Sequence, residues 1–440
     1  MRYFIISRFF AVLFLLLSVK SFEQPSGWAC YNFNLSGGAS GDTIVVENRN
    51  QFLKALAVKT PKTILIRDTI DLFAGESISI YSNDITILGC GSEAMIRSGG
   101  LRIYGNNVII QNLSIGDSYI DGHWDGKGAP RTDALTLYGK NIWIDHCDLF
   151  HSFDGLLDIG QHESESADLI TISWTRFSNH NKVMLVGSSD QDTVCRGNLR
   201  VTIHHCWFDG SSEFYDQVDN EYYRITQRMP RVRFGDVHVY NNYYENVMDY
   251  CVAARLESNV VVENNYFRNL SNPHFRDDIG KGIKDPNIII RGNVYDNVKK
   301  VDTSSFGTAF NPATFYRYEL DETPAIPGLV MNGAGKFNRR DNTAPIAIND
   351  TVSVYMDKTI KIFPLSNDCD SDNDGIRISG ILNSPAGETT VYPDYINYIP
   401  PEEYVGKDII EYQIIDYEGG SDTAFVLIDI ESLLTEDIRH

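Results

Sequence analysis

The sequence predicts an all-β molecule, a right-handed parallel β-helix followed by a small β-sandwich. Three observations predict it. A cassette recurs at 108–112, 142–146, 170–174, 201–205, 237–241, 260–264 and 288–292: a short β-branched strand, then a polar or small residue. Three positions beyond each cassette stands a large apolar residue: Ile115, Leu149, Phe177, Phe208, Tyr244, Phe267 and Tyr295. Helical periodicity is nearly absent after Leu56, and short strands separated by turn residues fill the region beyond residue 345. The cassettes recur about every 23 to 36 residues, too irregular for propeller blades and ordinary for coils with variable loops. One such coil cannot bury its apolar side alone, whereas a stack buries a continuous core.

The chain opens on a targeting segment. Arg2 and Arg8 precede an apolar run at 9–17, and small or polar residues follow at 18–21. The run is shorter than the roughly 20 residues that span a bilayer and fits a secretory signal peptide, 1–23. A secreted protein is expected, extracellular, periplasmic or at the cell surface, with no membrane span in its mature form. The 440 residues suit two or three domains, and 42% hydrophobic with 22% charged residues supports a full core. A formal charge of −21 argues against nucleic-acid partners. It does not argue against an anionic substrate, because the local field at a site decides that. The 7 cysteines show no C-x-x-C spacing, which speaks against a zinc site. Their number is odd, so at least one is free or pairs elsewhere. Cys147 and Cys206 hold the same place in the repeat and read as stacked core residues rather than partners. Residues 51–56 read as a short amphipathic helix that caps the open N-terminal end. At the turns of the repeat, Asn112, His146, His205, Asn241 and Asn264 read as a side-chain ladder rather than as metal ligands.

Four segments then map onto consecutive coils. The alternating strand 132–137 carries Asp133. In 154–158, Asp154 and Asp158 stand four residues apart, on one face of an extended chain. Lys182 follows His180 and Asn181. At 227–235, Arg228, Arg231 and Arg233 recur, with Pro230 disfavouring helix at Met229. Arg231 and Arg233 share one face of that strand. Coils about 4.8 Å apart bring these onto one surface, an acidic cluster of Asp133, Asp154 and Asp158 beside Lys182, Arg228 and Arg233. Three adjacent carboxylates favour a hard, oxygen-loving cation such as Ca²⁺. The basic groups would repel that cation unless an anion lay between, and a polymeric carboxylate bridging the two resolves both conflicts. From these residues two other readings stay open. One is a non-catalytic grip on an acidic polysaccharide. The other is a hydrolase using Asp154 and Asp158 as an acid/base pair.

The words at 141–146, 154–158, 172–174 with His180 and Lys182, 201–205 and 228–235 come in a fixed order. Through them the chain, over 24–338, resembles the pectate lyases of polysaccharide lyase family 1. The resemblance implies Ca²⁺ as cofactor with Asp133, Asp154 and Asp158 as its ligands. It implies Arg228 as the catalytic base, with Lys182 and Arg233 as binders of the substrate carboxylate. It implies β-elimination on the α-1,4-linked polygalacturonate of pectin, leaving 4,5-unsaturated oligogalacturonates. An arginine base relies on cationic neighbours to favour its neutral form. Some members carry a further acid two residues before the first ligand; here Arg131 stands there, which bears on how many Ca²⁺ ions bind. The full acid set favours the unesterified polymer over the methylated pectin taken by related pectin lyases. A monomer is expected.

Beyond a linker at 339–345, the strands of 346–432 suggest a β-sandwich and resemble bacterial cadherin-like, Ig-like repeats; 433–440 is a tail. The turn 370–375 looks like the front half of an EF-hand loop, but Ile381 stands where that loop needs its last Glu.

Overall fold

The computed structural model describes residues 26–91, 93–118, 132–216, 220–277, 284–336, 343–370, 376–383, 385–416 and 420–432. Successive coils pair in parallel, as in Ile170 with Val201 and Val201 with Val237. Among the described residues, one face is a 10-stranded sheet from Asp42–Val46 to Asn287–Arg291. The other two faces form a 15-stranded sheet that turns a corner through Met95–Ile103. Residues 95–97 pair with Ser114–Gly116 on one side of that corner, and 101–103 pair with Leu135–Leu137 on the other. The architecture is the expected parallel β-helix.

The repeat has a direct physical meaning. Its β-branched residues, among them Ile142, Ile144, Ile170, Ile172, Val201 and Ile203, are fully buried. The large apolar position builds an internal stack: Phe177–Phe208 at 5.1 Å, Phe208–Tyr244 at 4.4 Å, Tyr244–Phe267 at 4.7 Å and Phe267–Tyr295 at 5.6 Å. The polar or small residue closing each cassette sits in the left-handed region. Asn112, His146, His205, Asn241 and Asn264 have φ between 46° and 57°, and Gly292 has 67°. Asn, His and Gly tolerate that conformation where β-branched residues do not. Trp174, at φ 45°, is the bulky exception, stacked on His205 at 4.3 Å and facing His146 at 5.8 Å. The expected ladder exists between Asn264 and Asn241, whose side chains bond at 2.8 Å. A second ladder lies one residue on. Asn242, Asn265 and Asn293 accept from the backbone N–H of Cys206, Asn242 and Asn265 at 2.8–3.0 Å.

The helix Arg49–Ala57 caps the first coil; Asn48 accepts from the Gln51 N–H at 3.1 Å, and Phe52 and Ala55 are buried in the main core. A second helix, Ile326–Gly333, lies in the region after Leu56 where helical periodicity is nearly absent. Pro327 suits its first turn, Gly328 and Gly333 have poor helix propensity, and the helix persists because Ile326 and Val330 pack on Tyr243.

The C-terminal region is a two-sheet sandwich. Asp350–Tyr355, Ser421–Glu431, Gly406–Asp416 and Ile376–Ile381 form one sheet. Ile360–Ile362, Ile396–Ile399 and the unforeseen Glu388–Val391 form the other. A disulfide, Cys90–Cys369, joins the sandwich to the β-helix. Beside it Arg67 donates to the carbonyls of Ser366 and Asp368 at 2.8 and 2.6 Å, and Leu65 packs with both half-cystines. Cys147 and Cys206 are free and buried. Among the described residues no helix is long and apolar enough to cross a membrane. The signal segment 1–23, Arg131, most of the linker and the turn 371–375 lie outside the described residues.

Candidate active site

The site is built where three coils of the larger sheet begin their strands. Asp133 precedes Leu135–Leu137, and Asp154 lies in a bend ahead of Leu157–Ile159. The expected extended strands at 132–137 and 154–158 thus start later than the sequence suggested. The two bends bond to each other instead: Ala134 N–H donates to the Gly155 carbonyl at 3.0 Å, and Gly155 N–H donates to Asp133 Oδ1 at 2.8 Å. Gly155 also makes room. A Cβ added there would lie 3.0 Å from Asp133 Oδ1 and 3.0 Å from Asp158 Oδ1. Two carboxylates therefore flank one bare Cα.

Burial pushes the Asp133 carboxyl up to about 6, and the Asp154 charge adds to it; the Thr136 hydroxyl, donating at 2.8 Å, opposes the rise. Burial raises Asp158 well above the carboxylate range, reinforced by Asp133 and opposed by the charges of Arg228 and Lys182. Asp154 is turned to Lys182, whose Nζ is 2.9 Å from Asp154 Oδ1. His180 donates Nε2–H to the Asp154 carbonyl at 2.7 Å, and burial pulls the imidazole down to about 4. The ring is thus neutral near pH 7 and fixes the bend. Arg228 is a left-handed residue, φ 66°, whose carbonyl accepts from Met184 N–H at 2.6 Å. Its Nε is buried with no hydrogen-bond partner among the described residues.

Arg233 is held elsewhere. Its Nε donates to Asp190 Oδ1 at 2.6 Å and its Nη1 to the Gly187 carbonyl at 2.9 Å. Asp190 also binds Arg255, Arg255 binds Asp277, and Asp277 binds Arg231. Arg231 and Arg233 flank the buried Val232 and share one face, each with a carboxylate. The sequence brings Asp133, Asp154, Asp158, Lys182 and Arg228 into one cluster, with Arg233 in an adjoining chain of alternating charges.

Residues 1–336 match the Pectate lyase family profile. The chain belongs to the pectate lyase family. Residues 342–429 match a bacterial Ig domain. A pectate trisaccharide-lyase of Bacillus licheniformis is 30% identical over 331 residues, covering 71% of this chain and 86% of the relative. Pectate lyase E of Dickeya chrysanthemi is 30% identical over 376 residues, covering 72% of this chain and 91% of the relative. Among solved structures, a pectate lyase from Bacillus sp. N165 in complex with trigalacturonate is 26% identical. It superposes with a TM-score of 0.58 over 71% of this chain and 98% of its own.

The groove of this lyase contains residues that sequence reading missed. Gly155 lies inside the segment 154–158, but only its contact with two carboxylates reveals its part. Asp190, Arg255 and Asp277 come from separate coils with no shared spacing, so no sequence signal could have joined them. Gln227, Arg231, Tyr250, Phe275 and Asp277 line a pocket beside that charge chain. Among the described residues no three His, Cys, Asp or Glu side chains gather as a complete metal cage. Asp133 and Asp158 nonetheless suit a hard cation. They offer only oxygen, they leave the space over Gly155 between them, and their upward shifts are the cost that a bound cation would reverse.

Proposed function

We propose that this lyase is secreted and Ca²⁺-dependent, and that it cleaves α-1,4-linked polygalacturonate by β-elimination to 4,5-unsaturated oligogalacturonates. The observation that carries the reading is Arg228, its Nε buried and unpartnered, set beside a recessed pair of carboxylates over a bare glycine. Asp133, Asp154 and Asp158 would hold Ca²⁺, with the substrate carboxylate completing its oxygen shell. When bound, Ca²⁺ supplies positive charge against which a uronate carboxylate can accumulate electron density.

The chain's own residues do the rest. Lys182, already paired with Asp154, offers its ammonium to the uronate as the polymer enters. Arg233, its plane fixed by Asp190 and the Gly187 carbonyl, presents its remaining donors to a carboxylate. Arg228 takes the C5 proton. The electron pair of that C–H bond forms the C4–C5 double bond, and the glycosidic oxygen leaves C4 and is protonated by solvent. Binding of the carboxylate before reaction and of its enolate-like form during it places the cations where charge develops.

The test is incubation with polygalacturonate and Ca²⁺ while ultraviolet absorbance is followed. A conjugated double bond and rising absorbance are expected. New reducing ends without absorbance would mean hydrolysis, and neither would mean a binding protein. A chelator should abolish the absorbance rise and added Ca²⁺ restore it. Full activity in chelator would remove the metal from the reaction.

A further inference from the structure

The Ig domain carries a surface that the groove chemistry does not use. Ile362 pairs with Ile396, and Ile396 with Val391, so the next residues align across three strands as Phe363, Tyr395 and Tyr392. Ile362 and Ile396 are buried, which turns the following position outward. Phe363 is 55% exposed and Tyr392 42%. Tyr392 and Tyr395 are stacked at 4.4 Å, and Phe363 lies 5.8 Å from Tyr395. Lys361 Nζ sits 4.4 Å from the centre of the Tyr395 ring. In register beside this row runs a polar one, Lys361, Asn397 and Thr390.

We propose that this aromatic row is a binding site for a neutral polysaccharide. Three arguments select that occupant. Residues 346–432 carry 17 Asp and Glu against 4 Lys and Arg, a formal charge of −13. The row's own cation, Lys361, lies over the Tyr395 ring, so neither the domain's field nor the row itself draws a polyanion, nucleic acid or an anionic membrane surface. With Phe363 55% and Tyr392 42% exposed, the three rings offer on the order of 300 Å², less than the roughly 800 Å² that a stable protein partner covers on each side. A strip of that size fits a sugar chain, whose C–H faces lie on rings and whose hydroxyls meet the flanking Asn397 and Thr390. Tyr395, held between Tyr392 and Lys361, is the fixed member, and Phe363 and Tyr392 supply the open surface. The site is independent of the lyase reaction, since it shares no residue with the groove.

The test is affinity electrophoresis of the full chain, in chelator, through gels containing hydroxyethylcellulose, galactomannan, β-1,4-galactan or polygalacturonate. At least one neutral polymer should slow the protein, and any retardation by polygalacturonate, which the lyase site binds, should be the same with and without the aromatic row. Phe363→Ala and Tyr392→Ala should each weaken binding about tenfold, the pair should abolish it, and turnover of soluble oligogalacturonate should stay unchanged in all three. If the alanine pair loses its thermal transition, Phe363→Leu with Tyr392→Leu decides, because leucine keeps apolar bulk without a ring face. Retention by that pair overturns the proposal. So does unhindered migration of the native chain in every neutral gel, retardation by polygalacturonate that the alanine pair removes, or a dimer in sedimentation that the alanine pair dissolves.

Discussion

At the scale of single residues, Arg228 separates catalysis from binding. Arg228→Lys keeps the charge but replaces a planar fork with a compact ammonium. Loss of a placed general base costs about 10²- to 10⁴-fold, so kcat should fall at least roughly a hundredfold with KM little changed. A raised KM with unchanged kcat would make Arg228 a binding residue only. Gly155→Ala asks a different question. The added methyl would stand 3.0 Å from an oxygen of both Asp133 and Asp158, in the space proposed for the cation. Calcium titration of the activity should then shift at least about tenfold upward, while the melting curve stays where it was. An unchanged titration would move the cation away from Gly155. At this scale the gathering of the acids with Lys182 and Arg228 was legible in the sequence, because each belongs to a local word. Asp190 and Arg255 were not, because their meaning lies only in the contact between coils.

At the scale of elements, the internal stack and the amide ladder do different work. Phe208 touches Phe177 and Tyr244 inside the core, so Phe208→Ala should cost about 3–5 kcal/mol. Asn265 bonds to Asn242 and Asn293 along the second ladder and to backbone carbonyls. Asn265→Ala strands those buried groups and should cost about 1–3 kcal/mol. Equilibrium urea unfolding measures both, and an alanine at 265 without effect would reduce the ladder to a packing feature. The cassettes were readable because their period is set by burial and by a left-handed corner that admits Asn, His or Gly. The helix Ile326–Gly333 was not readable, since it is short, Gly328 and Asn332 weaken it, and packing on Tyr243 and its neighbours holds it. The late start of the strands at Leu135 and Leu157 was hidden for a similar reason: a bond between two bends, Gly155 N–H to Asp133, replaces local alternation.

At the scale of the whole molecule, the two domains should unfold as one. The Cys90–Cys369 bridge spans 279 residues, and a crosslink of that span contributes up to about 5 kcal/mol. Cys369→Ser should lower the transition of the Ig domain in calorimetry and split it from that of the β-helix; a single unshifted transition would leave Arg67 and the apolar contacts as the coupling. The Ig domain should also respond to pH. Burial pushes Asp350 up to about 6 and Asp368 to about 7, with the Tyr412 hydroxyl bonded to Asp368. Both lie above the unfolded reference of about 3.9, so the folded domain holds extra protons between about pH 4 and 7. Its stability is greatest on the acid side of that window and falls as pH rises through it. A melting temperature higher at pH 5 than at pH 8, in chelator, is expected, and the reverse order would mean that these carboxyls titrate normally.

The same bridge gives the chain the connectivity of a ring, 90–369, with 89 residues before it and 71 after it. Asp133, Gly155, Lys182, Arg228 and Arg233 all lie inside that ring, between residues 90 and 369. One proteolytic nick between 91 and 368 leaves every coil attached to every other; shedding any part of the groove takes two. Proteases work from loops and ends, and a single cut can free a piece only from 1–89, which carries the cap helix and the first coils, or from 370–440, which carries most of the Ig strands.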